Sequence, residues 1–216
     1  MKKIKGLLVF ASVCAMTAPV HAQVFGIPVG RDAAPGMAGE MRASANITIG
    51  DNLNLYGGRF AFNVLDEAFV FGDLGIVDPD RGDAGFGLQA GGQFTLPLQL
   101  DVPLDFAVRG TLGYASLDQK ERGVDVDIDI TSLSAAGVVS HTIDEMFSVY
   151  GVLGLVYART EFSASVEGFR VSSTDSDTEI MIGGGATVNL NPQFGLYGEL
   201  LIVDDPWITI GGTFRF

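Results

Sequence analysis

The stretch Ile208-Thr209-Ile210-Gly211-Gly212-Thr213-Phe214-Arg215-Phe216 decides the fold class of this chain. Apolar or small residues occupy its even positions, and Thr, Gly or Arg occupies its odd positions. Alternate side chains of a β-strand lie on opposite faces, so the pattern predicts a strand with one apolar and one polar face. A half-buried strand of a soluble protein would alternate in the same way, and other parts of the chain must decide between lipid and a soluble core.

The beginning of the chain predicts a signal peptide over residues 1–22. Three lysines precede an apolar run at 6–16, which is about ten residues long, whereas a membrane-spanning helix needs about 20. Small residues at 20 and 22 permit cleavage between Ala22 and Gln23. Acylation of Cys14 as a lipoprotein is the alternative, and the bulky Val13 disfavours it.

Composition and charge favour a mostly-β domain that does not bind nucleic acid. The formal charge is −13, and it becomes −16 without the three lysines of residues 1–22, so no basic surface for phosphates is expected. The chain is 47% apolar, which argues against disorder. It contains 29 glycines, and no long helical periodicity follows the signal peptide. No cofactor motif is found.

A weak repeat indicates a regular succession of strands. The pattern aromatic or Arg, Gly, any residue, Leu recurs at 71–76, 109–114, 150–155 and 197–202. Each spacing, about 40 residues, is the length of two strands with their turns. The four copies are therefore predicted to run in the same direction. Propeller blades have a similar period, but they require neither a signal peptide nor a terminal aromatic residue.

The alternation predicts an all-β, antiparallel up-and-down transmembrane β-barrel over residues 37–216, preceded by a periplasmic lead-in at 23–36. Eight strands are predicted at 68–77, 85–98, 104–117, 124–141, 147–162, 179–190, 194–203 and 207–216. Two further segments, 40–49 and 53–63, alternate equally well, and Gly50-Asp51-Asn52 between them is typical of a tight hairpin. We therefore prefer ten strands. Eight strands with an N-terminal plug or arm are the alternative.

Connection lengths predict the orientation of the barrel. Short connections are expected at 64–67, 99–103, 142–145 and 191–193, and longer polar ones at 77–84, 118–123 and 163–178. Barrels of the outer membrane have short periplasmic turns and longer extracellular loops. Both chain termini are accordingly expected in the periplasm.

The polar faces predict a charged lumen. The inward-facing cluster is expected to contain Glu40, Arg42, Asp73, Arg109, Glu199 and Arg215. Charges in a low-dielectric lumen should pair, because an unpaired buried charge is costly. Gly75, Gly113 and Gly154 are expected to make room for Phe71, Tyr150 and Tyr197. The lumen is therefore predicted to be plugged, with a narrow channel as the alternative.

Segments 147–158, 182–192 and 207–216 resemble small outer-membrane barrels of the opacity-protein and OmpX-like type. The resemblance implies a place in the outer membrane, contact with its lipid and lipopolysaccharide, and recognition of Phe214 and Phe216 by the barrel-assembly machinery. Members of such families serve as adhesins, host-surface binders or integrity factors, so the resemblance does not imply one function.

Evidence for catalysis or metal binding in the sequence is weak. His141 is the one histidine after residue 22, and it lies beside a predicted periplasmic turn, with Ser140 on the opposite face. Asp78-Pro79-Asp80-Arg81-Gly82-Asp83 resembles part of a calcium loop, but it lacks the distal Glu. Asp125, Asp127 and Asp129 share one face of a strand, which favours a solvated extension above the membrane.

The leading hypothesis is a non-enzymatic barrel whose extracellular loops contact a host or surface ligand, or which maintains the envelope. Arg81-Gly82-Asp83 and the segment 161–179 are the candidate contact sites. A narrow ion or small-solute channel is the second hypothesis, and a soluble periplasmic β-protein that binds a ligand is the third.

Overall fold

A computed structural model describes residues 29–80, 82–98, 101–121, 124–166 and 169–216. They form a closed antiparallel barrel in which each strand pairs with its neighbours in sequence. The strands are β1 (Met41–Ile49), β2 (Leu53–Asn63), β3 (Ala68–Pro79), β4 (Gly85–Leu96), β5 (Asp105–Glu121), β6 (Val124–Thr142), β7 (Phe147–Val166), β8 (Phe169–Asn189), β9 (Phe194–Val203) and β10 (Asp205–Arg215). None of the described residues belongs to a helix long and apolar enough to span a membrane.

The preferred count of ten strands is confirmed. The two segments whose membership was open, 40–49 and 53–63, are β1 and β2. β1 closes the barrel on β10, from Arg42 opposite Arg215 to Ile49 opposite Ile208. This closure leaves no open edge in the membrane, where unpaired backbone groups have no water to bind.

The outer surface of the barrel is an apolar belt. Outward side chains such as Leu74, Leu153 and Ile210 are more than 60% exposed. Soluble monomers rarely expose contiguous apolar patches of more than a few hundred Å², so the belt contradicts the soluble periplasmic alternative. Other outward side chains of the belt are Phe106, Val108, Leu112 and Tyr114 on β5, and Phe147, Val149, Leu153, Leu155 and Tyr157 on β7.

Four neighbouring strands are much longer than the others. β5 to β8 contain 17, 19, 20 and 21 residues, whereas β1 to β4 contain 9 to 12. Crossing a membrane takes about 9–11 residues of a strand. We call the surplus, which comprises the described residues of 117–130 and 158–178, the extension.

The extension corrects two predicted loops. The described parts of 118–123 and 163–178 are strands, and the pairing continues to Asp125 opposite Ser165 and to Ser163 opposite Ser172. Ser, Thr and Asp resemble loop residues by composition. Strand formation depends on pairing and neighbours more than on intrinsic preference, so a paired neighbour can hold such residues in a ladder.

The lumen consists of two layers. We call the end of the barrel at Met41 and Arg215 the base, and the end at Ile49 and Val203 the top. Towards the top lies an apolar layer of fully or almost fully buried side chains, which includes Leu55, Val77, Ile130, Met181 and Leu201. The polar layer towards the base contains Arg59, Gln89, Gln93, Arg109 and Glu199, which are all buried.

Residues 29–33, which we call the luminal segment, lie inside the barrel. Val29 and Ala33 are 1% and 0% exposed and belong to the same apolar cluster as the barrel wall. This placement corrects the expected lead-in outside the barrel for these residues, while 23–28 lie outside the described residues. An N-terminal plug or arm was part of the eight-strand alternative, and here a segment inside the lumen coexists with ten strands.

Candidate functional site in the lumen

Glu199 of β9 anchors the amino end of the luminal segment. Its two carboxylate oxygens accept hydrogen bonds from the backbone N–H of Val29 at 2.9 Å and of Gly30 at 3.1 Å. The hydroxyl of Tyr150 donates a third, 2.7 Å long, to the same carboxylate. Glu199 is only 4% exposed, and these donors offset the cost of burying its charge.

Gly30 is required at its position for two reasons. Its φ of +61° is a conformation that side chains of L-residues rarely adopt. A Cβ at Gly30 would also lie 3.3 Å from the ring of Tyr197, so the neighbouring ring would have to move. The segment therefore turns beside Glu199 where the sequence provides a glycine.

Arg59 of β2 joins the same backbone to the wall. Its guanidinium makes two bonds with Asp73, from Nε at 2.6 Å and from Nη2 at 2.8 Å, and Nη1 donates to the carbonyl of Val29 at 2.7 Å. The amide of Gln89 also donates to Asp73, at 3.1 Å. The paired geometry makes this a charge-assisted link between two strands of the wall and the segment.

The ring of Phe71 contacts two like charges. The guanidinium carbons of Arg59 and Arg109 lie 4.3 and 4.2 Å from the ring centroid. Such positions are favourable because the ring face is negative. The two arginines therefore share one aromatic contact in the middle of the barrel.

The lower part of the luminal segment is held by short polar side chains of the wall. Ser140 accepts from the N–H of Ala33 at 3.0 Å, and Thr95 donates to the carbonyl of Ala33 at 2.8 Å. Gln93 donates to the carbonyl of Asp32 at 2.8 Å, and Ser148 donates to its carboxylate at 2.7 Å. Most of these bonds engage the backbone, so the wall recognises an extended chain more than its side chains.

Arg31 points from the segment towards β2 and β3. Its Nη1 donates to the side-chain oxygen of Asn63 at 3.0 Å, and its guanidinium lies 4.1 Å from the centroid of Phe69. Gly36 follows, where an added Cβ would lie 2.0 Å from the amide nitrogen of Asn63. The chain therefore leaves the lumen through a tightly packed exit at the base.

The predicted lumen cluster is divided into two groups. Asp73, Arg109 and Glu199 lie in the centre, around Arg59 and Phe71. Near the base Glu40 pairs with Arg42, and Arg215 donates to the side chain of Asn189.

The sequence prediction missed two charged residues of this site, Arg31 and Arg59. Arg59 could have been found, because the alternation of β2 places it on the inner face. Tyr150 and Glu199 were both assigned to the interior, but the hydrogen bond between them was not predicted. Arg31 lies in an irregular segment and carries no periodic signal.

The aromatic rings of the lumen lie over glycines on neighbouring strands. A Cβ would lie 2.5 Å from the ring of Phe71 at Gly91, 2.5 Å from the hydroxyl of Tyr150 at Gly185, and 2.4 Å from the ring of Tyr197 at Gly211. Each of these glycines is the direct cross-strand partner of its ring.

The expected assignment of Gly75 and Gly154 to these rings is therefore wrong, whereas that of Gly113 stays a prediction. Added Cβ atoms at Gly75 and Gly154 would instead meet the backbone oxygens of Tyr56 and Ala135. Directly opposed residues of antiparallel strands are the nearest neighbours on one face, so the ring covers the glycine across the ladder and not one along its own strand.

His141 and Ser140 each contact the backbone of another segment. The Nδ1 of His141 lies 2.7 Å from the carbonyl oxygen of Pro103 at the base, and the hydroxyl of Ser140 is bonded to the luminal segment. The two side chains do not contact each other as a nucleophile and its base would.

The acidic segments give no support to a metal site. The described part of the chain brings together no three His, Cys, Asp or Glu side chains that could hold a metal ion. Arg81 lies outside the described residues. On β6, Asp127 is exposed and Asp129 accepts a 2.6 Å hydrogen bond from Tyr114, while Val126 and Ile128 are buried. This arrangement fits the expected solvated extension.

Phe214 and Phe216 lie on the outer surface at the base. Their ring centroids are 5.7 Å apart, and Phe60 lies 6.4 Å from Phe216. Both side chains are exposed, in the position of an interfacial aromatic girdle. Ala22 and Gln23, the expected cleavage site, lie outside the described residues.

Several solved structures have a similar fold. The outer membrane protease OmpT of Escherichia coli is 9% identical, with 82% of this chain and 94% of that chain covered and a TM-score of 0.47. Ail of Yersinia pestis, solved with the heparin analogue sucrose octasulfate, is 19% identical, with coverage of 83% and 100% and a TM-score of 0.45. The N-terminal domain of Pseudomonas aeruginosa OprF is 12% identical, with coverage of 83% and 98% and a TM-score of 0.42.

No curated protein matches the sequence significantly. A protein family does match, over residues 8–206, and its description is "Outer membrane protein beta-barrel domain". The match covers most of the chain, and it agrees with the closed barrel and its apolar outer belt. The chain therefore belongs to the family of outer-membrane β-barrel proteins.

Proposed function

We propose that this protein is a non-enzymatic outer-membrane barrel whose extension forms a contact surface outside the cell. The observation that carries the proposal is the open edge of β8. β7 pairs with β8 along almost its whole length, but the described pairing of β9 with β8 covers only residues 182–189. Residues 171–178 are thus paired on one side, and all of their side chains are exposed.

An open strand edge is a template for an additional strand. Its unpaired N–H and C=O groups can bind an extended peptide, and its side chains then select among peptides. The edge here carries Asp175 and Asp177, which disfavour pairing of two copies of the same edge. They favour an extended partner segment with basic residues, such as a segment of a host or surface protein.

The orientation of the barrel follows from its connections. The base is proposed to face the periplasm, because the connections there, such as 64–67 and 190–193, are short, whereas the extension rises from the top. Both chain termini then lie in the periplasm. This orientation is compatible with two further proposals: residues 1–22 are a cleaved signal peptide, and the barrel-assembly machinery recognises Phe214 and Phe216. The top of the apolar belt would then contact lipopolysaccharide.

The construction of the lumen supports a surface role more than a channel or an enzyme. The luminal segment and the apolar layer both obstruct a path for ions. His141 lies at the base, its ring nitrogen engaged by a backbone carbonyl, and Ser140 holds the segment. Their positions support neither a catalytic pair nor a conduction pathway.

The test is a trimmed variant in which residues 160–175 are replaced by Asn-Gly. Bacteria that display the wild-type protein are expected to adhere to cultured host cells, and those with the trimmed variant are expected to lose adhesion. Replacement of 80–84 by Asn-Gly, at another hairpin of the top, removes the other candidate contact site, Arg81-Gly82-Asp83, and should leave adhesion intact because the extension forms the contact surface. Unchanged heat-modifiable migration on gels will show that both barrels fold.

Two results would contradict the proposal. Equal adhesion by the wild-type and trimmed proteins would remove the extension from the function. If the wild-type protein supports no adhesion, and the trimmed variant fully restores detergent and vancomycin resistance to a deletion strain, the envelope-integrity role would be favoured instead.

A further inference from the structure

A small cavity lies at the base of the lumen, between the luminal segment and the barrel wall. Its volume is about 30 Å³, and its polar lining includes Arg31, Asp32, Arg42, Thr187, Thr213 and Arg215. A buried water molecule needs a cavity volume of about 10–15 Å³. The cavity therefore has room for one small ion or about two waters.

Two of the arginines that line this cavity have a buried donor without an acceptor among the described residues. Arg31 is 7% exposed, and its Nη1 is bound to Asn63, but among the described residues no acceptor lies within hydrogen-bonding distance of its Nε. The Nε of Arg215 is in the same situation. Buried donors are normally satisfied, so two such donors in one cavity indicate a site for an acceptor.

The charged residues that line the cavity are mainly cationic. Arg31, Arg42 and Arg215 line it together with one acid, Asp32, and the carboxylates of Glu40 and Asp105 lie nearby. Glu40 is paired with Arg42, and Asp32 accepts a hydrogen bond from Ser148. Within the lining itself the three arginines therefore outnumber the single carboxylate.

We propose that this cavity binds one compact monovalent anion of about the size of chloride. Arg31 belongs to the luminal segment, whereas Arg42 and Arg215 belong to β1 and β10. The bound anion therefore joins the segment to the closing strands of the barrel and stabilises the plugged state. The volume of about 30 Å³ favours a compact anion over a larger one.

The first test is anomalous diffraction from crystals of the detergent-solubilised protein soaked in sodium bromide. Bromide is expected to give a peak in the cavity, within contact distance of Arg31, Arg42 and Arg215. Density for water and no anomalous peak at that position would overturn the proposal.

The second test measures urea unfolding in micelles through the fluorescence of Trp207, the single tryptophan. At constant ionic strength, replacement of gluconate by chloride should raise the unfolding midpoint along a saturating curve, because the anion binds the folded state. Arg215→Gln should abolish this response, and Arg42→Gln serves as the second variant if the first does not fold.

Arg159→Gln is the control for the second test. Arg159 is an exposed arginine of the extension that is paired with Glu161, and its loss should leave the chloride response unchanged. A response that is equal in the wild type and in both cavity variants, or absent from the wild type, would contradict an anion site.

Discussion

At the scale of single residues, Gly185 links the packing of the wall to the luminal segment. A Cβ at this position would lie 2.5 Å from the hydroxyl of Tyr150 and 2.6 Å from the carbonyl of Gly198. Tyr150 donates to Glu199, which holds the segment. We expect Gly185→Ala to lower the free energy of unfolding by about 1–3 kcal/mol, because overpacking displaces the ring. Urea unfolding in micelles measures the change.

The matched control is Gly198→Ala. A Cβ there would have its nearest neighbour, the carbonyl oxygen of Thr209, at 3.9 Å, and it would face outward. The substitution should change the free energy of unfolding by no more than about 0.5 kcal/mol, or stabilise the protein by restricting the unfolded chain. Equal losses in the two variants would show that the ring contact is not what makes Gly185 necessary.

The same residues show what the sequence could and could not predict about the site. Alternation alone assigned Asp73, Arg109 and Glu199 to the lumen, because the period of a strand is two. The glycines under the rings could not be assigned, since that requires the register between strands, which no single strand contains. The position of Arg31 could not be predicted for another reason. Its segment is irregular, so the sequence has no period that would indicate an inward face.

At the scale of elements, two parts of β8 differ in how many neighbouring strands they pair with. Residues 182–189 pair with β7 and β9, whereas 171–178 pair with β7 alone in the described ladder. Amide hydrogen exchange in detergent should therefore be slow in the first part and markedly faster at alternate positions in the second, where solvent reaches the edge. Uniformly slow exchange along the whole strand would show that another segment covers the edge and would weaken the proposed contact surface.

Strand positions were predictable to within a few residues near the membrane, but the extension was not. Within the lipid belt one face of each strand must be apolar, as in Leu153 and Leu155, and the pattern is visible. Above the belt the outer face of the strands contacts water, so polar residues such as Ser163 and Ser172 are tolerated there. The sequence of this part therefore resembles a loop. Only the pairing between strands, as of Ser163 with Ser172, distinguishes a paired strand from a polar loop.

At the scale of the whole molecule, two obstacles in series should prevent conduction. The luminal segment fills the polar layer. The apolar layer above it excludes water because its side chains are apolar, as in the hydrophobic constriction of a gated channel. We expect the wild-type protein to give no steady conductance steps in planar bilayers. A chain that begins at Met37 and lacks the segment should remain closed, because Ile130, Met181 and Leu201 still obstruct the lumen. Steps should arise only when these three are also replaced by Ser. Steady steps in the wild type that Arg109→Ala or Glu199→Ala abolishes would contradict the plugged barrel and favour the narrow channel.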